Sequence, residues 1–261
     1  MIPLTRPPKP SQLTDETIIE LTERFKADKK KSVWKVPYIT EALYEMSNNK
    51  CAYCECYIGV EGKYMQVEHY HPKSLYEDEV VNWDNLLPSC NRCNIAKSNH
   101  DTKLYPLVNP SIDTPNLHLE FCTEKFRIIG IDDKGKLTEK LIGLNDYKAG
   151  RGHAVTRFLI IQALIDEIEE FKNMLMKYSP QKYSIEEKIE LRNKFKNILE
   201  NGQPKAAYSA TVATIIISNP NYEYLRDEMI KKGIWYEELD YLEKKVKKFA
   251  FKIYSEATNI V

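Results

Sequence analysis

The chain has 261 residues, of which 43% are hydrophobic, enough to form one large core or two smaller ones. Lysine and arginine together number 38, and so do aspartate and glutamate, so the formal net charge is zero. This balance excludes a uniformly basic surface of the kind that binds nucleic acid unaided. Contact with a polyanion must therefore be local. Two basic clusters are candidates for it, or else are ordinary solvated faces: Lys29, Lys30, Lys31 and Lys35 around Trp34, and Lys244, Lys245, Lys247, Lys248 and Lys252.

The opening stretch, "MIPLTRPPKPSQ", contains no apolar run resembling a secretion signal. No apolar run elsewhere reaches the length of a membrane span. We therefore expect a cytoplasmic protein that makes no contact with a membrane. In that reducing compartment, the six cysteines are expected to be metal ligands or buried thiols rather than disulfides.

In the first hundred residues, apolar spacing predicts two helices and then loses its regularity. One apolar face in "LTDETIIELTERFKAD" predicts a helix that begins after a cap at Thr14 or Asp15. Residues 39–48 predict a second helix, which leads into the first cysteine pair. Between residues 50 and 110, glycine, proline and polar residues interrupt any regular pattern, apart from a short strand at 65–67. This composition indicates a compact module held together by a ligand.

After residue 110 the pattern changes from strands to helices. The segment from Leu117 to Leu141, broken at "DDKG", predicts strands joined by a turn. Apolar residues at intervals of three and four predict a helix from about Tyr147 to about Tyr178. Ser184 with Glu187 forms a capping box, which predicts another helix that ends near Gly202. Three further helices fit residues 204–218, 222–232 and 236–257.

These elements predict an α+β fold in four parts. A basic, helical N-terminal arm covers residues 1–49, and the ligand-held module covers residues 50–110. A β-rich extension covers residues 111–146, and a C-terminal helical domain covers residues 147–261. The C-terminal helices carry no catalytic constellation, so we expect them to pack against one another or to present a face that binds a partner.

Four of the six cysteines form two Cys-x-x-Cys pairs, a spacing that is typical of zinc sites. The pairs are Cys51 with Cys54 and Cys90 with Cys93. Four thiolates close a tetrahedron around zinc and leave no position for water, so this zinc would be structural. Two alternatives stay open: four unligated buried cysteines, or Cys56 in the place of Cys54.

Between and just after the cysteine pairs, the chain places an acid, a histidine and two asparagines in a fixed order. Glu68 and His69 stand in "VEHYHPKS", Asn85 in "WDNLLPSC", and Asn94 and Lys97 in "CNRCNIAKSN". This order resembles the HNH endonucleases of the ββα-metal fold. More closely, it resembles the HNH subunit of Septu antiphage systems, which also occurs in some retron defence cassettes. The resemblance is strong over about a quarter of the chain and weak outside it.

The resemblance implies roles for five residues in the hydrolysis of a phosphodiester. His69 is the general base, because a neutral imidazole can accept a proton near neutral pH. Glu68 and Asn94 supply oxygen ligands to a catalytic Mg²⁺ or Mn²⁺, which prefers oxygen to sulfur. Asn85 ties the loop together and orients His69, and Lys97 contacts the scissile phosphate.

Three positions differ from the commonest HNH pattern or lie outside it. Glu68 stands where most HNH nucleases carry aspartate, so the carboxylate is kept on a longer arm that alters the metal geometry. Asn94 stands in the third motif position in place of histidine, a substitution that the wider HNH group shares. His71 occupies a variable position before the proline of the motif, and we assign it no role.

The resemblance also implies a substrate and a partner. The substrate is nucleic acid, with DNA favoured over RNA, and the chain is the effector of an antiphage defence system. Septu nuclease subunits work with an ABC-type ATPase, so we expect such a partner here. A nuclease without net positive charge would depend on that partner for delivery to its substrate. Two alternatives stay open: a stand-alone restriction-type nuclease, and a zinc-stapled binding module for nucleic acid or protein without catalysis.

Overall fold

A computed structural model describes residues 1–59, 64–147, 152–177 and 183–255. Within these ranges the chain forms an α+β fold of helices with two separate two-stranded sheets. It divides into two compact units, the first made of residues 1–118 with 130–144 and the second of residues 119–129 with 145–261. Among the described residues, no helix combines the length and the apolar character that crossing a membrane requires.

The first unit opens with two helices. Helix α1 spans Asp15–Ala27, and the Thr14 side chain accepts a hydrogen bond from the Thr17 N–H, which confirms the predicted cap. Helix α2 spans Pro37–Ser47 and so begins two residues before the predicted start. Proline suits the first turn of a helix because its missing N–H would have no partner there. Both helices bury one apolar face in this unit.

A ββα unit follows, and it carries most of the predicted site residues. Strand β1 spans Met65–His69 and pairs antiparallel with strand β2, Leu86–Cys90, in a register that sets His69 opposite Leu86. Helix α3 follows directly over Asn91–Lys97. The sequence predicted only the first of these strands. Strand β2 is buried at every position, so it lacks the alternation of apolar and polar residues that marks an exposed strand.

The prediction of strands running to Leu141 with a turn at "DDKG" is wrong. Strands β3, Leu119–Cys122, and β4, Arg127–Gly130, do form, but helix α4 occupies Asp133–Ile142. The aspartate of the supposed turn starts this helix, because the Asp132 side chain accepts a hydrogen bond from the Gly135 N–H at 2.7 Å. The residue types that favour turns also favour helix N-caps, so the sequence alone did not distinguish a turn from the start of a helix at Asp132.

The second unit is mainly helical. Its helices are α5 (His153–Lys177), α6 (Ile185–Asn201), α7 (Ser209–Ser218), α8 (Tyr222–Lys231) and α9 (Glu237–Phe249). The capping box between Ser184 and Glu187 is confirmed. Two predicted bounds are wrong: residues 204–208 lie outside α7, and α9 ends at Phe249. The predicted end at Tyr178 falls outside the described residues, and so do residues 256 and 257.

Each unit has its own apolar core. Fully buried side chains of the first unit include Leu13, Ile39, Leu43, Tyr53, Val80, Leu86 and Leu107. Those of the second unit include Phe121, Ile161, Phe171, Leu191, Leu199, Ile216 and Val246. Helix α7 is buried over most of its length, and the other four helices bury apolar residues mainly on one face, so the second unit is a packed helical bundle.

Gly135, in the first turn of helix α4, leaves no room for a side chain. A Cβ at this position would lie 2.0 Å from the His118 carbonyl oxygen and 3.1 Å from Asp132 Oδ1. We expect Gly135→Ala to lower the free energy of unfolding by about 2 kcal/mol, measured by urea unfolding and circular dichroism. Lys140→Ala, on the exposed face of α4, should change it by less than about 0.5 kcal/mol. Equal effects of the two substitutions would contradict the packing described here.

Candidate functional site

Four cysteine sulfurs meet beside the hairpin. The Sγ atoms of Cys51, Cys54, Cys90 and Cys93 all lie within 4.8 Å of one another, and all four residues are buried. The Sγ atoms of Cys54 and Cys90 are 3.8 Å apart. Zinc–sulfur bonds of about 2.3 Å in a tetrahedron place sulfurs ~3.8 Å apart, so this donor set fits zinc. The predicted cysteine cluster is confirmed, and Cys56 is not a member of it.

Local structure explains why the two cysteine pairs meet. Cys90 ends strand β2 and caps helix α3, where its sulfur accepts a hydrogen bond from the Cys93 N–H at 3.4 Å. The turn that carries the other pair lies along strand β2, because the Ala52 N–H donates to the Pro88 carbonyl oxygen at 2.8 Å. The hairpin therefore presents both pairs to a common point, and a bound zinc would fix the start of α3 against this turn.

His69 ends strand β1 and is held in one orientation. Its Nε2 lies 2.8 Å from the Val80 carbonyl oxygen, and its ring packs at 87° against Trp34 with ring centroids 4.7 Å apart. A carbonyl oxygen only accepts hydrogen bonds, so Nε2 carries the ring hydrogen and Nδ1 is the basic nitrogen. Burial lowers the pKa of His69 to about 3, so the imidazole is neutral at physiological pH.

Glu68 and Lys97 form a buried ion pair beneath the histidine. Glu68 Oε1 lies 2.6 Å from Lys97 Nζ, although no hydrogen-bond donor of the described residues is aligned with this oxygen. Lys97 Nζ also donates to the His69 carbonyl oxygen at 2.8 Å. Burial raises the pKa of Glu68 to about 7, even though Lys97 opposes this shift. The carboxylate is therefore poised between its charged and neutral forms near neutral pH.

Asn85 clamps the loop that follows strand β1. Its Oδ1 accepts from the His71 N–H at 2.6 Å, and its Nδ2 donates to the His71 carbonyl oxygen at 3.0 Å. The same Nδ2 lies 3.3 Å from the carbonyl oxygen of Glu79, the neighbour of Val80. Asn85 therefore acts on His69 only indirectly. It binds the carbonyl oxygen of Glu79, and the carbonyl oxygen of the next residue, Val80, binds the imidazole.

An open cleft of about 370 Å³ brings three of the predicted residues together. Glu68 and His69 line it from strand β1, and Asn94 lines it from helix α3. Asn85 and Lys97 are buried and do not line this cleft. Contact between Lys97 and a phosphate would thus require its pair with Glu68 to open.

Three further groups belong to the site. Trp34 packs on the imidazole, the Val80 carbonyl orients it, and Lys73 lies over the Trp34 ring with Nζ 5.0 Å from its centroid. The cluster of basic residues around Trp34 was a sequence signal that could have identified this tryptophan as part of the site. No sequence signal pointed to the Val80 contact, because it uses a backbone atom that every residue possesses.

The cysteine cluster predicts a specific pattern of zinc loss. We expect about one zinc per chain, and Cys90→Ser should lose most of it and unfold at a lower temperature. Cys56→Ser and Cys122→Ser should keep full zinc content, because neither sulfur belongs to the cluster. Metal analysis of the purified variants and thermal unfolding measure both effects. Full zinc in Cys90→Ser, or its loss in Cys56→Ser, would contradict this assignment.

The buried pair predicts a large and pH-dependent effect of Lys97→Met. At pH 8 this change should cost about 3 to 5 kcal/mol of unfolding free energy, because it leaves the Glu68 charge buried without a partner. The cost should shrink at pH 6, where Glu68, with its raised pKa, takes up a proton. Adding Glu68→Gln should restore most of the loss. Urea unfolding of the single and double variants measures these differences.

Lys103→Met is the matched control for this experiment. Lys103 Nζ lies 2.5 Å from Glu79 Oε1, but both side chains are partly exposed, so this pair is screened by solvent. Its loss should cost less than about 1 kcal/mol at either pH. Equal costs for Lys103→Met and Lys97→Met would show that burial does not distinguish the two pairs.

Comparison with known proteins gives the family of the chain. No family model matches the sequence, and no solved structure matches it. The Septu protein PtuB of Bacillus thuringiensis is 41% identical over 239 residues, covering 90% of this chain and 89% of that protein. The Septu protein PtuB of Bacillus mycoides (strain KBAB4) is 31% identical over 137 residues, covering 40% of this chain and 44% of that protein. The chain belongs to the Septu PtuB family.

Proposed function

We propose that the chain is a metal-dependent HNH endonuclease and the effector subunit of an antiphage defence system. The single observation that carries this proposal is the cleft in which Glu68, His69 and Asn94 converge beside the cysteine cluster. A neutral base and two oxygen donors in one cleft are what phosphodiester hydrolysis requires. The order of strand, strand and helix matches the ββα-metal arrangement that the sequence resembles.

His69 acts as the general base through Nδ1. The Val80 carbonyl fixes Nε2 as the protonated nitrogen, so the basic nitrogen is defined before substrate arrives. Burial makes this nitrogen a weak base in the free protein. The negative charge of a bound phosphodiester favours the imidazolium, whereas the positive charge of the catalytic cation disfavours it. His69 then takes a proton from the attacking water.

Glu68 and Asn94 would hold the catalytic cation. Carboxylate and amide oxygens suit Mg²⁺ or Mn²⁺, and both side chains line the cleft. When bound, the cation would neutralise charge on the phosphate and on the leaving oxygen. Because a proton competes with the cation for a carboxylate whose pKa is about 7, cation binding should strengthen as the pH rises through that value.

Asn85 and Lys97 act as positioning residues in this proposal. Asn85 holds the backbone on either side of the loop, including the Glu79 carbonyl next to the Val80 carbonyl. Lys97 holds the His69 carbonyl and pairs with Glu68, which fixes both working residues at the end of the strand. The buried position of Lys97 favours this role over direct contact with the scissile phosphate.

A partner would bring the substrate. The relatives are named as Septu proteins, and the sequence resemblance implies an ABC-type ATPase that works with the nuclease subunit. Zero net charge supports this division of labour, because long-range attraction to a polyanion is weak for such a chain. We propose that the substrate is nucleic acid, with DNA first, and that the ATPase delivers it.

A nicking assay tests the catalytic assignment. Purified chain, with and without the ATPase, should nick supercoiled plasmid DNA in the presence of Mg²⁺ or Mn²⁺. His69→Ala should reduce the rate by about 100-fold or more, because the proton acceptor is lost. The same variant should keep its zinc and its far-ultraviolet circular dichroism spectrum, since residue 69 is not a cysteine ligand.

His100→Ala is the matched control, because His100 lies outside the cleft. It should nick DNA at the rate of the unmodified chain. Undiminished nicking by His69→Ala would remove His69 from the mechanism. A zinc-stapled binding module without catalysis would give no nicking by any variant, even when the ATPase is present.

A further inference from the structure

The connection between helices α1 and α2 forms one wall of the cleft. This segment, residues 28–36, has the sequence "DKKKSVWKV" and is called the basic loop below. It contains four lysines and a single acid, Asp28. Ser32, Trp34 and Lys35 of the basic loop line the cleft together with Glu68 and His69. The strongest local concentration of lysines in the first unit therefore adjoins the proposed catalytic residues.

Two apolar residues anchor the basic loop in a fixed position. Val33 and Trp34 are only 6% and 8% exposed, although the residues on both sides of them are exposed. The Trp34 ring contacts Phe25 on one side, with centroids 5.9 Å apart, and His69 on the other. The lysines thus stand on a backbone that is held against the imidazole, which distinguishes them from a freely solvated run.

Ion pairs neutralise some of the lysines in and near the basic loop, but three lysines of the loop have no such partner in the described part of the chain. Lys26 pairs with Asp78 at 2.7 Å, and Lys29 pairs with Glu77. Among the described residues, the side chains of Lys30, Lys31 and Lys35 make no ion pair, and all three are exposed. Asp28, the one acid of the basic loop, uses its carboxylate to accept a hydrogen bond from the Lys30 N–H.

From this arrangement we infer that the basic loop binds the phosphate backbone of a nucleic acid next to the scissile bond. Lys30, Lys31 and Lys35 contact phosphates along the strand, and Lys73, packed over Trp34 on the same wall, continues this line of positive charge. The inference rests on the proposed nuclease function and adds where that nuclease holds its substrate. It also explains how a chain without net charge obtains local affinity for a polyanion.

Helix α9 and the segment just after it provide a matched comparison within the same chain. Lys244, Lys248 and Lys252 are also exposed and make no ion pair among the described residues. They belong to the second unit, and none of them lines the cleft. Removing three charges there changes the net charge as much as removing three from the basic loop. Any difference between the two triple variants therefore reports position rather than total charge.

Salt-dependent binding tests the inference. In a His69→Ala background, which prevents cleavage, fluorescence anisotropy measures the affinity of the full chain for a labelled 30-base-pair duplex of random sequence at several salt concentrations. Lys30→Gln, Lys31→Gln and Lys35→Gln together should weaken binding at least about tenfold at low salt. They should also reduce the slope of log K against log salt by about 2 to 3, since each phosphate contact contributes ~0.9. Lys244→Gln, Lys248→Gln and Lys252→Gln together should leave affinity and slope nearly unchanged.

Three results would overturn the inference: no measurable binding of the duplex, equal weakening by both triple variants, or tighter binding of poly-glutamate than of the duplex. The last result would assign the basic loop to an acidic protein instead. Cleavage by the chain with an intact His69 is measured separately. If no variant cleaves but the basic-loop variant still loses affinity, the proposed catalysis fails while the binding surface stands.

Discussion

The convergence of four cysteine sulfurs is the constraint on which the candidate site depends. The two pairs close the ends of the chain between Cys54 and Cys90, and the hairpin within that segment places His69 opposite Leu86. A bound zinc would stabilise this segment, because the unfolded chain has no preformed site for the metal. The loop between the strands is then rigid enough for one asparagine, Asn85, to hold it.

Burial sets the chemistry of the residues that this frame presents. Desolvation lowers the pKa of His69 and raises the pKa of Glu68, so both carry less charge at neutral pH than they would in water. Lys97 offsets part of the cost of burying the carboxylate. The free site is thus held close to neutrality, and the arrival of an anionic phosphate and a cation changes its electrostatics strongly. If the chain is the proposed nuclease, this state suits control by delivery of the substrate.

In the first unit, nearby acids neutralise some lysines and leave others unpaired. Lys26 and Lys29 pair with acids of residues 77–78, whereas Lys30, Lys31 and Lys35 of the basic loop make no ion pair among the described residues. Trp34 joins the basic loop to His69, the proposed general base, through one aromatic contact. Binding and catalysis would therefore share a wall, and the neutral remainder of the surface would add little attraction of its own.

The sequence by itself determined the cysteine cluster, the helices with clear caps and the identity of the candidate residues, because spacing and residue type carry that information. Only the tertiary structure decided that Lys97 faces Glu68, that Asn85 acts through the backbone, and that Val80 orients His69. It also turned the segment after Asp132 into a helix rather than a turn and strand. These outcomes depend on hydrogen bonds to backbone groups and on which side chains are buried against each other. The local sequence encodes neither of them.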